Sequence, residues 1–242
     1  MKLNKSQFKQ DFLSANLLNV IQKNFEVILI WIAGSTLTGL SEDDSDIDLG
    51  VLIADNSTIT QTERNEDYFI YKPTGTKVQW IYDTVQDITT LQPYANQRNI
   101  GWAQLYCITS PSDEAILYIN PQYYSFVEQL IQKRESVAKY SMWLYFQDKK
   151  TLIDQILKTG HISKECQVKS LYHLCWAADI LLEEPHDTCF LKALKRIRSH
   201  PATEEDLEQA FNKIYRLSEY FKRSIPEKPI LLLKETNTNA RV

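Results

Sequence analysis

The chain has 242 residues, of which 43% are hydrophobic, 24% charged and 11% aromatic, and its formal net charge is −4. That balance excludes a disordered chain, which needs low hydrophobicity and high net charge. It also argues against a protein that coats DNA or adsorbs to membranes, while small phosphate-bearing substrates and a local nucleic-acid patch stay open. No stretch approaches the ~18 consecutive apolar residues of a membrane helix. The N-terminal MKLNKSQFKQDFL is amphipathic rather than the apolar core of a signal peptide, so a cytoplasmic protein with no membrane partner is expected. Cys107, Cys166, Cys175 and Cys189 contain no CxxC pair and read as reduced, buried thiols rather than a zinc site.

In chain order, Phe8, Phe12, Leu17, Leu18 and Ile21 recur near helical spacing and predict a first helix over 6–23. The run VILIWIA at 27–33 is short, apolar and β-branched and ends at Gly34, the pattern of a buried strand. DIDLGVLIA at 46–54 has the same character. Between them, GSTLTGLSEDDS is polar and glycine-marked, which predicts a turn and a short helix starting near Ser35. Strands at 67–72 and 77–83 flank Pro73-Thr74-Gly75-Thr76 and read as a β-hairpin.

After Asp83 the pattern lengthens into helices at 84–91, 98–108, 121–133, 136–158, 164–184, 187–198 and 203–223. Pro111, Pro121, Pro185, Pro201 and Pro226 fall at the breaks, because proline cannot continue a helix interior. The order predicts an α+β fold. A mixed sheet with flanking helices occupies 1–115, an all-α bundle for substrate or partner occupies 116–225, and a polar tail runs over 226–242.

The chemistry concentrates at the second strand. Side chains alternate along a strand, so Asp46 and Asp48 share one face while Ile47 and Leu49 turn to the core. Two carboxylates side by side repel unless a cation intervenes, and hard oxygen donors suit Mg²⁺ completed by substrate phosphates. Gly34-Ser35 directly follows the preceding strand, where backbone N–H groups and the Ser35 hydroxyl can approach a phosphate. Phosphate cradle and metal carboxylates then lie on one rim of the sheet. The acidic run Glu42-Asp43-Asp44 reads as a solvated loop.

The segment GSTLTGLSEDDSDIDLGVLI resembles the Gly-Ser, ten-residue spacer, Asp-x-Asp signature of the polymerase β-like nucleotidyltransferase superfamily, with Gly39 and Ser45-Asp46 strengthening the match over roughly residues 26–83. The order of hairpin, NIGWAQLYCITS and KSLYHLCWAADILLE more loosely resembles bacterial and phage members linked with RNA repair. The resemblance implies in-line attack on the α-phosphorus of a nucleoside triphosphate, pyrophosphate release, and Asp46 and Asp48 holding Mg²⁺ or Mn²⁺. It also implies a third carboxylate on a later strand. There this sequence departs from the pattern, since the aligned position is Gln79, or Val78, and neither ionises. Asp83, two pleats beyond Gln79 on the same face, serves only in a different register.

Other residues have weaker claims. Lys169 and His173, at i and i+4, meet a triphosphate if their helix faces the cleft, although a structural role is favoured. Tyr172 or Trp176 can stack a base, yet aromatics at helical spacing more often fill a core. Lys192, Lys195, Arg196 and Arg198 form a basic helix that suits RNA, or simply a solvated face. The expected function is nucleotidyl transfer to a hydroxyl on a small molecule such as an antibiotic, on RNA or on protein. The alternatives are a catalytically impaired nucleotide-binding regulator and a toxin–antitoxin-type nucleotidyltransferase with a protein partner.

Overall fold

The computed structural model describes residues 4–14, 17–22, 25–43, 45–54, 68–91, 98–197 and 199–232. Positions 15, 16 and 23 of the expected first helix, Asp44, position 67 of the expected hairpin, Arg198 and the tail from residue 233 onward lie outside the described residues. The chain divides into two compact units, one comprising 1–92, 101–138 and 228–242 and the other 93–100 and 139–227. The expected α+β class is observed: a mixed sheet with flanking helices, then a largely helical C-terminal part.

The first unit opens with α1 (Lys5–Ser14) and α2 (Leu17–Gln22), which fall on the span 6–23 expected to be helical. Strand β1 (Val27–Ala33) is buried along its whole length, as its uninterrupted apolar run requires, and passes directly into a one-turn helix α3 (Gly34–Leu37). Strand β2 (Ile47–Ile53) returns antiparallel to β1, pairing Ala33 with Asp48 and Ile32 with Leu49. The hairpin β3 (Tyr68–Tyr71) and β4 (Thr76–Thr84) follows, and β4 lies parallel to β2 with Asp48 opposite Gln79.

A fifth strand was not expected. β5 (Ile116–Ile119) pairs antiparallel with the other edge of β1, giving the order β3-β4-β2-β1-β5. Four residues carry too little alternation to be read locally, and it is pairing with the apolar β1 that makes them a strand. One sheet face packs on α1 and α2 through buried Phe8, Phe12 and Ile21. The Phe8 ring meets Tyr71 edge-on at 5.0 Å, and the Tyr82 hydroxyl donates to the Ile21 carbonyl at 2.7 Å. On the other face the Trp31 indole lies over Gly50, where a Cβ would come within 2.1 Å of the ring. Tyr71 also donates to Asp11, and burial together with this bond pushes its phenol up to about 12.

Beyond β4, α4 (Val85–Thr90) starts at a reciprocal cap in which Thr84 and Asp87 satisfy each other's backbone N–H. Then come α5 (Arg98–Ala103), a 3₁₀ turn at Gln104–Cys107, and α6 (Tyr124–Gln132). The helix expected over 136–158 is two, α7 (Arg134–Asp148) and α8 (Lys150–Thr159), with α8 closed by Gly160 at φ 75°. In the second unit α9 (Ser170–Leu181), α10 (Thr188–Lys195) and α11 (Glu204–Arg223) follow, and α11 begins at a second reciprocal cap between Thr203 and Asp206. Among the described residues no helix is long and apolar enough to cross a membrane. All four cysteines are unbridged; Cys166 and Cys175 are buried as expected, whereas Cys107 is half-buried and Cys189, in the first turn of α10, is exposed.

Candidate functional site

The parallel register of β2 and β4 assembles the site. Paired residues in adjacent strands face the same way, so Asp48 and Gln79 stand side by side, ~4.8 Å apart at the usual strand spacing. The Gln79 amide Nε2 donates to Asp48 Oδ1 at 2.7 Å. A carboxylate only accepts, so the amide must present its nitrogen. Val78, the other residue aligned with a third carboxylate, is fully buried on the opposite face. Asp83 pairs with Leu52 and lies ~13 Å along the strand from Gln79 at ~3.3 Å per residue. Its buried carboxylate accepts from Trp102 Nε1 at 3.3 Å. The neutral Gln79 therefore holds the position beside Asp48, and Asp83 does not reach it.

Asp46 is exposed and lies one residue before β2, while Asp48 is half-buried within it. Gly34 bears directly on Asp48: at φ +61° it occupies the left-handed region, and a Cβ there would lie 2.1 Å from Asp48 Oδ2. Glycine is required at this point on both counts, and the turn closing β1 is held against the carboxylate of β2.

One donor expected in the phosphate cradle is already engaged. The Gly34 N–H donates to the Gln104 side-chain oxygen at 2.8 Å. Gln104 is buried in the 3₁₀ turn after α5, and this bond ties the Gly34 turn to a segment seventy positions away. Sequence reading passed over Gln104, since one glutamine in an apolar stretch carries no local signal. The remaining donors are the backbone N–H groups of Ser35 and Thr36, in a first helical turn that has no intrahelical acceptor for them, and the Ser35 hydroxyl. Ser35 is half-buried.

Lys169, His173, Tyr172 and Trp176 belong to the second unit. His173 is buried and its Nδ1 bonds the Tyr145 hydroxyl at 3.0 Å. Burial, reinforced by Lys169 and Lys149, drives its imidazole down to about 3, so it is neutral. Tyr172 and Trp176 are buried too, and all three side chains fill the interior of the helical unit. Lys169 is half-buried at the N-terminal boundary of α9. Lys192 and Lys195 are half-buried and Arg196 is exposed at the end of α10. The helical unit also contains an ion-pair network that the sequence did not announce. Lys213 pairs with Asp179 and, at 3.0 Å, with Glu184, while His186 meets Asp179 at 3.1 Å.

Among the described residues no cluster of three or more His, Cys, Asp or Glu side chains forms a metal site. Two carboxylates with a triphosphate nevertheless match what Mg²⁺ takes, which is one or two carboxylates plus phosphate oxygens.

Residues 15–86 match the family described as polymerase beta, nucleotidyltransferase. That span holds Gly34, Ser35, Asp46, Asp48, Gln79 and Asp83, so the N-terminal part of the chain carries a nucleotidyltransferase domain of this type. The chain is also similar to a solved nucleotidyltransferase-like protein from Exiguobacterium sibiricum 255-15, at 14% identity over 88% of this chain and 75% of that one, with a TM-score of 0.30. No curated protein matches it.

Proposed function

We propose that the chain transfers a nucleoside monophosphate from a nucleoside triphosphate to an acceptor hydroxyl on a small molecule, RNA or protein. The observation that supports this most is the approach of Gly34 to Asp48, a turn suited to receive a phosphate beside a carboxylate suited to hold a metal. Asp46 and Asp48 would hold Mg²⁺ or Mn²⁺, which when bound neutralises the triphosphate charge. Ser35 would donate its N–H and hydroxyl to phosphate oxygens, and Gln104 would keep the Gly34 turn in place. The acceptor oxygen forms a bond to the α-phosphorus, the bond from that phosphorus to pyrophosphate breaks, and the hydroxyl proton leaves to water. Gln79 is no base for that proton, and its work is to fix the Asp48 carboxylate.

Gln79 also favours a second reading, a nucleotide-binding protein with little or no turnover. The two are separated by incubating the protein with each of the four ribonucleoside triphosphates, Mg²⁺ or Mn²⁺, and RNA or aminoglycoside acceptors, and following pyrophosphate release. The transferase reading expects release that falls on the order of 10³-fold in Asp46→Asn or Asp48→Asn. Nucleotide binding without release supports the second reading, and release unchanged in both variants removes the site from the reaction.

A further inference from the structure

The outward face of the β3–β4 hairpin breaks the alternation of a half-solvated antiparallel pair, which buries apolar residues on one side and shows polar ones to water. Its inward residues Tyr71, Val78, Trp80 and Tyr82 are buried as expected. Its outward residues include Tyr68, Ile70 and Ile81, exposed by 60%, 51% and 42%. Register connects this surface to the site already described. Tyr68 pairs with Gln79 and Gln79 with Asp48, so ring, amide and carboxylate form one row on one face, ~10 Å from end to end.

Charge points the same way. The Lys77 ammonium lies 5.1 Å from the centre of the Tyr68 ring. From Tyr68 through Tyr82 the chain carries Lys72 and Lys77 and no carboxylate, although its net charge is −4.

We infer that this face binds single-stranded nucleic acid whose terminal hydroxyl is the acceptor of the proposed transfer, an inference that takes its acceptor role from that reading. An exposed aromatic ring offers a base a stacking surface whatever its sequence, and nearby lysines offer the phosphates a counter-charge. A polycationic aminoglycoside would meet two lysines instead. Self-association of the chain would cover the apolar residues, but it would not call for Tyr68 to stand in register with Asp48. The strand's hydroxyl oxygen joins the α-phosphorus, pyrophosphate and a proton leave, and the strand is one nucleotide longer.

The test is fluorescence anisotropy on the full chain with short labelled single strands of RNA and of DNA, in EDTA and without nucleoside triphosphate, so that it reads binding apart from transfer. At least one strand is expected to bind, the two arms identifying the sugar. Tyr68→Ala should weaken binding about tenfold or more while Tyr68→Phe retains it. Lys77→Ala should weaken it and flatten the salt dependence by about 0.7 in log–log slope. The inference falls if neither strand binds, if Tyr68→Ala binds as tightly as the parent, or if sedimentation finds a self-associated chain that Tyr68→Ala dissociates. Strand binding without pyrophosphate release upholds the surface and overturns only the transfer reading.

Discussion

In the helical unit, Asp179, Lys213 and His173 are buried and answered by other side chains of the same unit. In the sheet unit, Asp46 is exposed, and Asp48 and Gln79 are half-buried beside a glycine turn that leaves no room for a side chain. Identical residue types thus do opposite work. Sealed in the interior, a charge or an imidazole is a structural element whose loss is felt in stability. At the strand end, the carboxylates stand wholly or partly open to solvent, and under the proposed function their loss would be felt in metal and nucleotide binding. The difference teaches that a perturbed group is not thereby a functional one. The most strongly displaced histidine of this chain, held down to about 3, fills a core.

The comparison is broken most directly at Lys213. The Lys213 side chain is 9% exposed and that of Asp179 is 0% exposed, so Lys213→Met strands a buried carboxylate. A loss of about 3–5 kcal/mol is expected in urea unfolding. The paired change Lys213→Met with Asp179→Leu should recover most of it, and neither protein should lose nucleotide binding. A loss below about 1 kcal/mol would put the pair in the class of exposed surface bridges.

A smaller effect comes from pH. Since the folded-state value of His173 is depressed from 6.5 to about 3, the unfolded chain holds a proton in that window which the folded chain lacks. Stability from this group is complete above about 6.5 and falls by ~1.4 kcal/mol per pH unit below it. In His173→Gln that component is absent. The stability difference between parent and variant, from urea unfolding at a series of pH values, should therefore shift against the parent as pH falls. A difference constant with pH would contradict the burial account.

How much of this was legible in the sequence follows from the range of the interactions. VILIWIA, DIDLGVLIA and the hairpin around Pro73-Thr74-Gly75-Thr76 announce themselves because apolar runs and turn residues are local signals. The helix starts near 84 and 203 were legible for the same reason. The motif around Gly34, Asp46 and Asp48 showed through because its spacing spans two adjacent strands. What stayed hidden is non-local. β5 is a strand through its pairing with β1, Gln104 matters through Gly34, and Asp179 finds Lys213 across separate helices. For Lys169 and His173 the i, i+4 spacing was visible, but which way that helix turned was not, and His173 turned inward. Gln79 was the instructive case, since its departure from the expected carboxylate was readable while its hydrogen bond to Asp48 needed the register.

The central claim, that the row from Gly34 through Asp48 to Gln79 receives a metal-bound triphosphate, is tested most directly by calorimetric titration of Mn²⁺ and nucleoside triphosphate. The parent protein, Asp48→Asn and Gln79→Glu are compared. The account predicts metal-dependent nucleotide binding that Asp48→Asn weakens at least about tenfold and Gln79→Glu tightens by about tenfold, as a carboxylate replaces a neutral amide beside the cation. Binding indifferent to both substitutions would place the nucleotide elsewhere and contradict the account.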